Sequence, residues 1–379
     1  MKDVLPGYYR PTDEEFKLLW DEGTVIPDTN VLLNLYRFSE GTRDELIKLF
    51  EAVSPRLWIP YQAALEYHRN RLGVIREVAD TCQTTRGSIK STLAPLQNRL
   101  ESMRHPHVDS GKLLAELEQV KGRLESLLDE AQSKQSDLLE TDPVLLRVTE
   151  LFAGKTGKPP TDEETKDRRK NAEARFTQKI PPGYKDAQTK EGDKQYGDAY
   201  IWFEIIAYAK EHKKPILLIT DDSKEDWWWK RHDGKTLGPR PELINEMHQA
   251  CGTLFYMYST ERFIDFANQQ SAIRIPETTT DEVREVVKAQ RLRGGGDTLA
   301  GQDVKNHVLA VLDSLSSKLP FVGVKYLVSL SGPGANHAVA ELVKEGVLRY
   351  YKVPNPNAPA FPTTAVKFSD DLDMPDEGA

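Results

Sequence analysis

The sequence predicts a split α/β domain with a parallel sheet, interrupted by a helical hairpin and followed by a small α+β module. Three observations predict it. Short apolar runs alternate with amphipathic segments, as buried parallel strands do between helices. A heptad-spaced stripe interrupts that alternation. Near the end, helical segments give way to two β-prone stretches separated by Pro/Asn turns.

Residues 24–28 (Thr-Val-Ile-Pro-Asp) form the first buried strand and end in a polar corner, with a helix beginning around Asn30. Glu40 to Val53 carries Leu46, Leu49 and Phe50 at helical spacing. Leu57-Trp58-Ile59 is the next expected strand, and Pro60 suits the first turn of the helix bearing Glu66. Leu113, Leu117, Val120, Leu124, Leu127 and Ala131 then step by four and three. Pro106 and Gly111 break that segment, so two long antiparallel helices closing on each other are favoured over a dimerising coiled coil. The stretch 154–195 is rich in Lys, Glu, Asp, Pro and Gly, and reads as a mobile or ligand-ordered loop. The α/β pattern returns with a helix over Asp198–His212, a strand over Pro215–Thr220, a helix over Pro241–Ala250, a strand over Thr253–Tyr258 and a helix over Glu261–Gln269.

A charged helix, Thr280–Leu292, leads into the linker Gly294-Gly295-Gly296-Asp297. Beyond it Val304–Leu315 and Val339–Leu348 read as helices, and Leu348–Val353 with Thr364–Phe368 as a hairpin, which together suggest a winged-helix-like module. Residues 1–72 and 154–270 are thus the two halves of the α/β domain and 73–153 the insertion. Residues 271–303 are a linker, 304–369 the winged-helix-like module and 370–379 an acidic tail.

At 379 residues, 39% hydrophobic and 29% charged, the chain has the composition of a soluble globular protein of two domains plus an insertion. No run of apolar residues is long enough to span a membrane. The first residues, Met1-Lys2-Asp3-Val4-Leu5-Pro6, lack the apolar stretch of a signal peptide, so the cytoplasm is the expected setting. Cys82 and Cys251 stand far apart and offer neither a disulfide framework nor a thiolate zinc site. The net charge of −8 argues against coating nucleic acid by bulk attraction, yet it leaves room for an acidic site that divalent cations would neutralise.

The chemistry-bearing residues are carboxylates. Asp28 ends the first strand, and Thr220-Asp221-Asp222 ends the apolar strand Ile216-Leu217-Leu218-Ile219. In open α/β sheets ligands bind outside the carboxyl ends of strands, which is where these residues lie. Each also has a plainer reading. Asp28 suits a helix N-cap, Asp222 a turn cap, and Asp198 a first helical turn stabilised by the macrodipole. Glu66, mid-helix, is surface or coordinating. Taken together, carboxylates without partnering His or Cys suit Mg²⁺ or Mn²⁺, which take oxygen ligands and can activate water for phosphodiester cleavage.

Four short motifs in order resemble the PIN domain family, in its bacterial, insertion-bearing PIN-like form. They are Ile26-Pro27-Asp28-Thr29-Asn30-Val31-Leu32-Leu33, the Glu66 helix, Gly197-Asp198-Ala199-Tyr200-Ile201-Trp202, and Ile219-Thr220-Asp221-Asp222-Ser223-Lys224-Glu225-Asp226-Trp227-Trp228. Pro181-Pro182-Gly183-Tyr184-Lys185-Asp186 precedes the third motif. The resemblance covers about 20–270 without the helical insertion. It implies a PIN-like (Rossmann-like) parallel sheet flanked by helices, and Mg²⁺- or Mn²⁺-dependent cleavage of RNA more than of DNA. Carried over, Asp28, Glu66, Asp198 and Asp222 are the metal carboxylates, with Asn30 and Thr220 orienting them. Asp221 competes with Asp222 for the fourth place, although the Thr-x-Asp spacing favours Asp222.

Arg168, Arg169, Arg175, Lys179 and Lys185 before the third motif, Lys224 in the fourth motif and Lys230 just after it are candidate phosphate-backbone contacts. A solvated charged loop explains the first five equally well. Trp227, Trp228 and Trp229 offer stacking faces, of which core packing takes at least one. The leading reading is an endoribonuclease that hydrolyses phosphodiesters through a metal-activated water. Its insertions and accessory module resemble those of toxins and phage-defence effectors, which suggests an antiviral defence setting. The alternative is an inactive PIN-like nucleic-acid-binding scaffold, with a homo-oligomer or protein partner engaged through the insertion or the C-terminal module. A small-ester phosphatase of the haloacid-dehalogenase kind is disfavoured, because Asp28-Thr29-Asn30 lacks a second Asp.

Overall fold

The computed structural model describes residues 1–186, 192–232, 234–270 and 274–293. Of the remainder it describes 305, 308–309, 311–313, 315–316, 322–331, 335–344, 346–353 and 363–368. The chain divides into two compact units, Met1–Val283 and Arg284–Ala379.

The first unit begins with α1 (Asp13–Glu22), whose start is fixed by a capping box. Glu15 N donates to Thr12 Oγ1 at 3.2 Å, and Thr12 N donates to the Glu15 carboxylate at 2.8 Å. Then come β1 (Thr24–Pro27), α2 (Thr29–Asn34) and α3 (Glu40–Ala52). α4 (Tyr61–Ser102) and α5 (Ser110–Glu140) make the hairpin, and α6 (Pro143–Leu151) returns the chain to the sheet. After α7 (Asp162–Thr177) and α8 (Gly197–His212) come β2 (Ile216–Ile219), the antiparallel pair β3 (Trp228–Lys230) and β4 (Thr236–Pro239), α9 (Pro241–Cys251), β5 (Phe255–Tyr258) and α10 (Thr260–Gln270), while α11 (Glu277–Arg293) runs across the boundary at Val283.

The parallel sheet has the order β1-β2-β5, with Pro27 opposite Ile219 and Ile219 opposite Tyr258. Every residue of β1 and β2 is buried, as strands covered by helices on both faces must be. Because β1 and β2 are parallel and level, Asp28 and Thr220 leave the sheet side by side. The register alone therefore brings residues 192 positions apart in sequence to one place.

Two local expectations around the sheet are corrected. The strand expected at Leu57-Trp58-Ile59 is only a pair of isolated bridges, Val25 to Leu57 and Ile59 to Thr156. A 3₁₀ turn over Ser54–Arg56 precedes it and Pro60 follows it, leaving three extended residues between two breaks. The stretch 154–195 is no single loop, because α7 occupies its centre. Thr161 and Glu164 form a capping box, and this nearly all-polar helix is held by ion pairs and by only two apolar side chains, Ala172 and Phe176, so hydrophobic periodicity does not reveal it.

The hairpin expected from the heptad pattern forms, and Arg86 pairs with Asp129 across it at 2.6 Å. Yet the stripe does not close on α4. Leu113, Val120, Leu124 and Leu127 remain 43, 40, 36 and 62% exposed, while Leu114 and Leu128 are less so. The Glu66 helix also does not stop at residue 72, because α4 is one continuous helix into the insertion. Among the described residues no helix is long and apolar enough to cross a membrane.

In the second unit β6 (Val322–Gly323), α12 (Val324–Ser331), α13 (Ala335–Lys344), β7 (Leu348–Val353) and β8 (Thr363–Phe368) enclose a core of Val308, Leu312, Leu327, Val339, Leu342 and Val366. The antiparallel order is β6-β8-β7, and the expected hairpin is β7-β8. The helix expected over Val339–Leu348 starts earlier and ends at Lys344. Gly346, at φ 77°, turns the chain so that Leu348 opens β7. The Gly294–Asp297 linker and the 370–379 tail lie outside the described residues, as do several residues of Val304–Leu315.

Candidate active site

Asp28 caps α2 and stands at the centre of a hydrogen-bonded knot. Its Oδ1 accepts from Thr29 N at 2.7 Å. Its Oδ2 accepts from Thr220 Oγ1 at 2.7 Å and from Asn30 Nδ2. Asn30 Oδ1 accepts from Asp221 N at 2.9 Å, and Thr220 Oγ1 accepts from Asp222 N at 3.1 Å. The plainer capping role and the site role thus coexist in one residue: Oδ1 caps the helix while Oδ2 is aimed by side chains from the neighbouring strand end.

The opposite wall comes from α4 and α8. Gln62 Nε2 donates to Glu66 Oε1 at 2.7 Å. A Cβ built on Gly197 would stand 2.3 Å from that same Glu66 oxygen, so any side chain there would push the Glu66 carboxylate aside. Next along α8, Asp198 Oδ2 accepts from Trp227 Nε1 at 3.2 Å and from Lys224 Nζ at 3.3 Å.

Lys224 gathers three carboxylates. Its ammonium lies 2.6 Å from Asp186 Oδ1, 3.0 Å from Asp222 Oδ2 and 3.3 Å from Asp198 Oδ2, and its backbone N–H donates to Asp222 Oδ1 at 2.7 Å. Asp186 arrives on the turn that starts at Pro181. That turn is pinned by the fully buried Asp226, whose Oδ2 accepts from Gly183 N at 3.0 Å and Lys185 N at 3.1 Å. Gly183 has φ 92°, and a Cβ there would meet Asp198 Cβ at 2.9 Å.

The grouping has an electrostatic cost that shows in its proton affinities. Burial, then the neighbouring Asp198, pushes the Asp28 carboxyl up to about 7, with Asp222 and Glu66 adding to the rise and the Thr220 hydroxyl opposing it. Burial and Asp198 likewise raise Asp226 to about 6, against the Lys185 N–H and the Lys224 charge. Burial alone would lower the Lys224 ammonium, but Asp198, Asp222 and Asp186 outweigh it and hold the group above the usual lysine range.

Such a surplus of carboxylates, with oxygen donors and no His or Cys among them, fits Mg²⁺ or Mn²⁺ in charge and donor type. Among the described residues, however, no three His, Cys, Asp or Glu side chains are closed into a ready metal cage. Asp28, Asp198 and Asp222 are drawn instead toward hydroxyl, amide and ammonium donors.

The expected site residues therefore separate. Asp28, Asn30, Thr220, Asp198 and Asp222 share one hydrogen-bonded neighbourhood, with Glu66 close enough to raise Asp28. Asp221 points elsewhere: Oδ1 accepts from Thr260 N at 3.0 Å, and Oδ2 from Thr260 Oγ1 at 2.8 Å and Asn34 Nδ2 at 3.2 Å, which ties β2 to α10.

Of the seven candidate phosphate contacts, Lys224 lies in the carboxylate group itself. Arg168 pairs with Glu204 and covers the Tyr200 ring, Arg169 pairs with Glu173 and Asp193, and Arg175 grips Glu246 with both terminal nitrogens. Lys185 meets Glu225 at 2.7 Å, Lys179 ends α7 at positive φ, and Lys230 lies in β3. Trp227 and Trp228 are buried and donate to Asp198 and to the Asp222 carbonyl, and Trp229 meets Tyr8 edge to face. Sequence reading missed Asp186, Gln62 and the anchoring role of Asp226. The Pro181-Pro182-Gly183 turn before Asp186 was the available signal.

The model of the PIN-like domain family matches residues 24–243, more than half of the chain and all of the carboxylates gathered at the ends of β1 and β2. The chain belongs to the PIN-like domain family. Its first unit is accordingly a nuclease-type fold, and the matched span includes the helical hairpin. No match was found among curated proteins or solved structures.

Proposed function

We propose that this PIN-like chain is a divalent-cation-dependent endoribonuclease that hydrolyses phosphodiester bonds at the ends of β1 and β2. One observation carries the reading: four carboxylates from separate elements, Asp28, Glu66, Asp198 and Asp222, gather at the ends of β1 and β2, where burial first and then the neighbouring charges raise Asp28 to about 7. Stability alone gives no reason for that crowding, since like charges held together destabilise a fold unless a cation compensates. Asp28, Glu66, Asp198 and Asp222 are the residues that would hold Mg²⁺ or Mn²⁺. The bound cation would supply Lewis acidity toward water and charge neutralisation for the phosphate.

The protein's own part is orientation. Thr220 and Asn30 aim Asp28 Oδ2, Gln62 aims Glu66, Trp227 aims Asp198, and the Lys224 N–H aims Asp222. Such supporting hydrogen bonds set both the direction and the basicity of a ligand oxygen. RNA is the expected substrate, and the second unit, whose element order suits a winged helix, is the expected accessory module.

The test is cleavage of single-stranded and structured RNA with Mg²⁺, Mn²⁺ or EDTA, by wild type and Asp28→Ala. Cation-dependent cleavage by wild type, lost in the variant, is expected. Equal cleavage by both proteins overturns the reading, and RNA binding without turnover under any cation replaces it with an inactive scaffold.

A further inference from the structure

We propose that the Lys224 ammonium is a built-in cation of this site, filling the place between Asp186, Asp198 and Asp222 that a second divalent ion would otherwise take, so that the chain binds one divalent ion rather than two. The inference rests on the reading of the carboxylates as a cation site.

Three features separate Lys224 from an ordinary surface ion pair. Its ammonium has three carboxylate partners, at 2.6, 3.0 and 3.3 Å, from three different segments. Its position is fixed at both ends, because its backbone N–H donates to Asp222 Oδ1 while its ammonium reaches Asp222 Oδ2. The third partner is brought there by dedicated structure. Asp186, its side chain 2% exposed, follows a turn held by Asp226 through two backbone N–H groups and pressed against Asp198 at Gly183.

A flexible lysine on the surface needs none of this, and an isolated exposed pair contributes little to stability. The geometry also excludes a competitor. A divalent ion binding Asp198 and Asp222 on the Lys224 side would face a positive charge within about 4 Å, a strongly repulsive distance at the low dielectric of a partly buried site. The ammonium already holds Asp198 Oδ2 and Asp222 Oδ2 by hydrogen bonds, and Mg²⁺ demands oxygens at about 2.1 Å in octahedral array, so a second ion on that side would have to displace it. The exchangeable ion of the functional reading is then left on the Asp28 and Glu66 side of Asp198 and Asp222.

The experiment counts Mn²⁺ bound to the full-length chain by calorimetry and by electron paramagnetic resonance, for wild type, Lys224→Met and Lys224→Arg. RNA cleavage and circular dichroism are measured on the same samples. One Mn²⁺ per chain is expected for wild type and Lys224→Arg, rising to two in Lys224→Met. Two Mn²⁺ on wild type overturn the inference without any variant, and so does a count unchanged in a folded Lys224→Met. If Lys224→Met does not fold, a second variant, Asp186→Asn, decides: loosening the ammonium should let a second Mn²⁺ bind weakly, and a single unchanged site overturns the inference. The outcomes also separate from the functional reading. Two ions on an active wild type remove only the lysine's role, and one ion on wild type against two on Lys224→Met with no cleavage by either removes only the nuclease. No Mn²⁺ on any protein removes both.

Discussion

Two polar clusters lie within the first unit, served by neighbouring residues of α4, and they handle charge in opposite ways. Tyr67, next to Glu66 in sequence, belongs to a node at the root of the hairpin. Its hydroxyl lies 2.9 Å from that of Tyr36, the Tyr36 hydroxyl donates to Asp142 at 2.9 Å, and Arg71 pairs with the same Asp142. Asp142 also caps α6 through Leu145 N. Charges there balance one to one, and burial raises both phenols, Tyr67 to about 12. At the strand ends, by contrast, Asp186, Asp198 and Asp222 all turn to the Lys224 ammonium, and burial, then the Asp198 charge, drives Asp28 up to about 7. A polar cluster that holds a fold together closes its own charge balance. One that leaves a surplus is arranged for something that arrives from outside.

Substitutions can break this contrast. The largest effect is expected for Asp28→Ala, with RNA cleavage falling on the order of 10²–10³-fold, the size seen when one preorganised electrostatic partner of a reaction is removed. Its melting temperature should fall only modestly, since loss of the α2 cap and of the acceptor for Thr220 and Asn30 is offset by removal of a repelled carboxylate; a large fall would place Asp28 with the structural node. Asp142→Ala should do the reverse. Leaving Arg71 and the two hydroxyls without their acceptor should cost about 3 kcal/mol in denaturant unfolding, with cleavage per folded molecule unchanged.

Asp221→Ala sharpens the contrast inside one dipeptide. It should cost about 2 kcal/mol through the orphaned Thr260 and Asn34 donors while cleavage persists, whereas Asp222→Ala should lose cleavage. The smallest effect is a pH dependence. The Asp28 carboxyl has a folded value near 7 against 3.8 for the free group, so its ionisation penalises the folded state. That penalty is absent below the lower value and complete above the higher one. Cation-free protein should therefore lose a few degrees of melting temperature as pH rises from 5 to 8, beyond what Asp28→Asn loses. Parallel curves for the two proteins would show that the surplus charge is not felt.

How legible these features are in the sequence follows from the physics of each. β1 and β2 are readable because four consecutive buried residues leave an apolar run, and Asp28 and Thr220 because they end such runs. Spacing ranks Asp222 over Asp221 but carries no trace of their different contacts, one with Lys224 and the other with Thr260. α7 hides because its partners are charges on α8 and α9, contributed from distant sequence. Lys224 beside Trp227 and Trp228 resembles a nucleic-acid contact. Only the fold reveals three carboxylates around it, one of them on a turn 38 residues upstream. The heptad stripe shows that a helix is made and not which of its faces the partner helix takes.

The continuity of α4 has a mechanical meaning. Its first two turns carry Gln62 and Glu66, and the same helix runs to Ser102, about 50 Å farther at 1.5 Å per residue. Pro95, the proline inside it, lies near the far end, so the span between Glu66 and the outer hairpin has no proline joint to absorb a push. The hairpin is thus a handle on the site. A small rotation imposed on its outer half is delivered to the Glu66 carboxylate at the other end, where Gly197 leaves almost no clearance, and amide exchange across Gln62–Tyr67 would register a load placed on the tip.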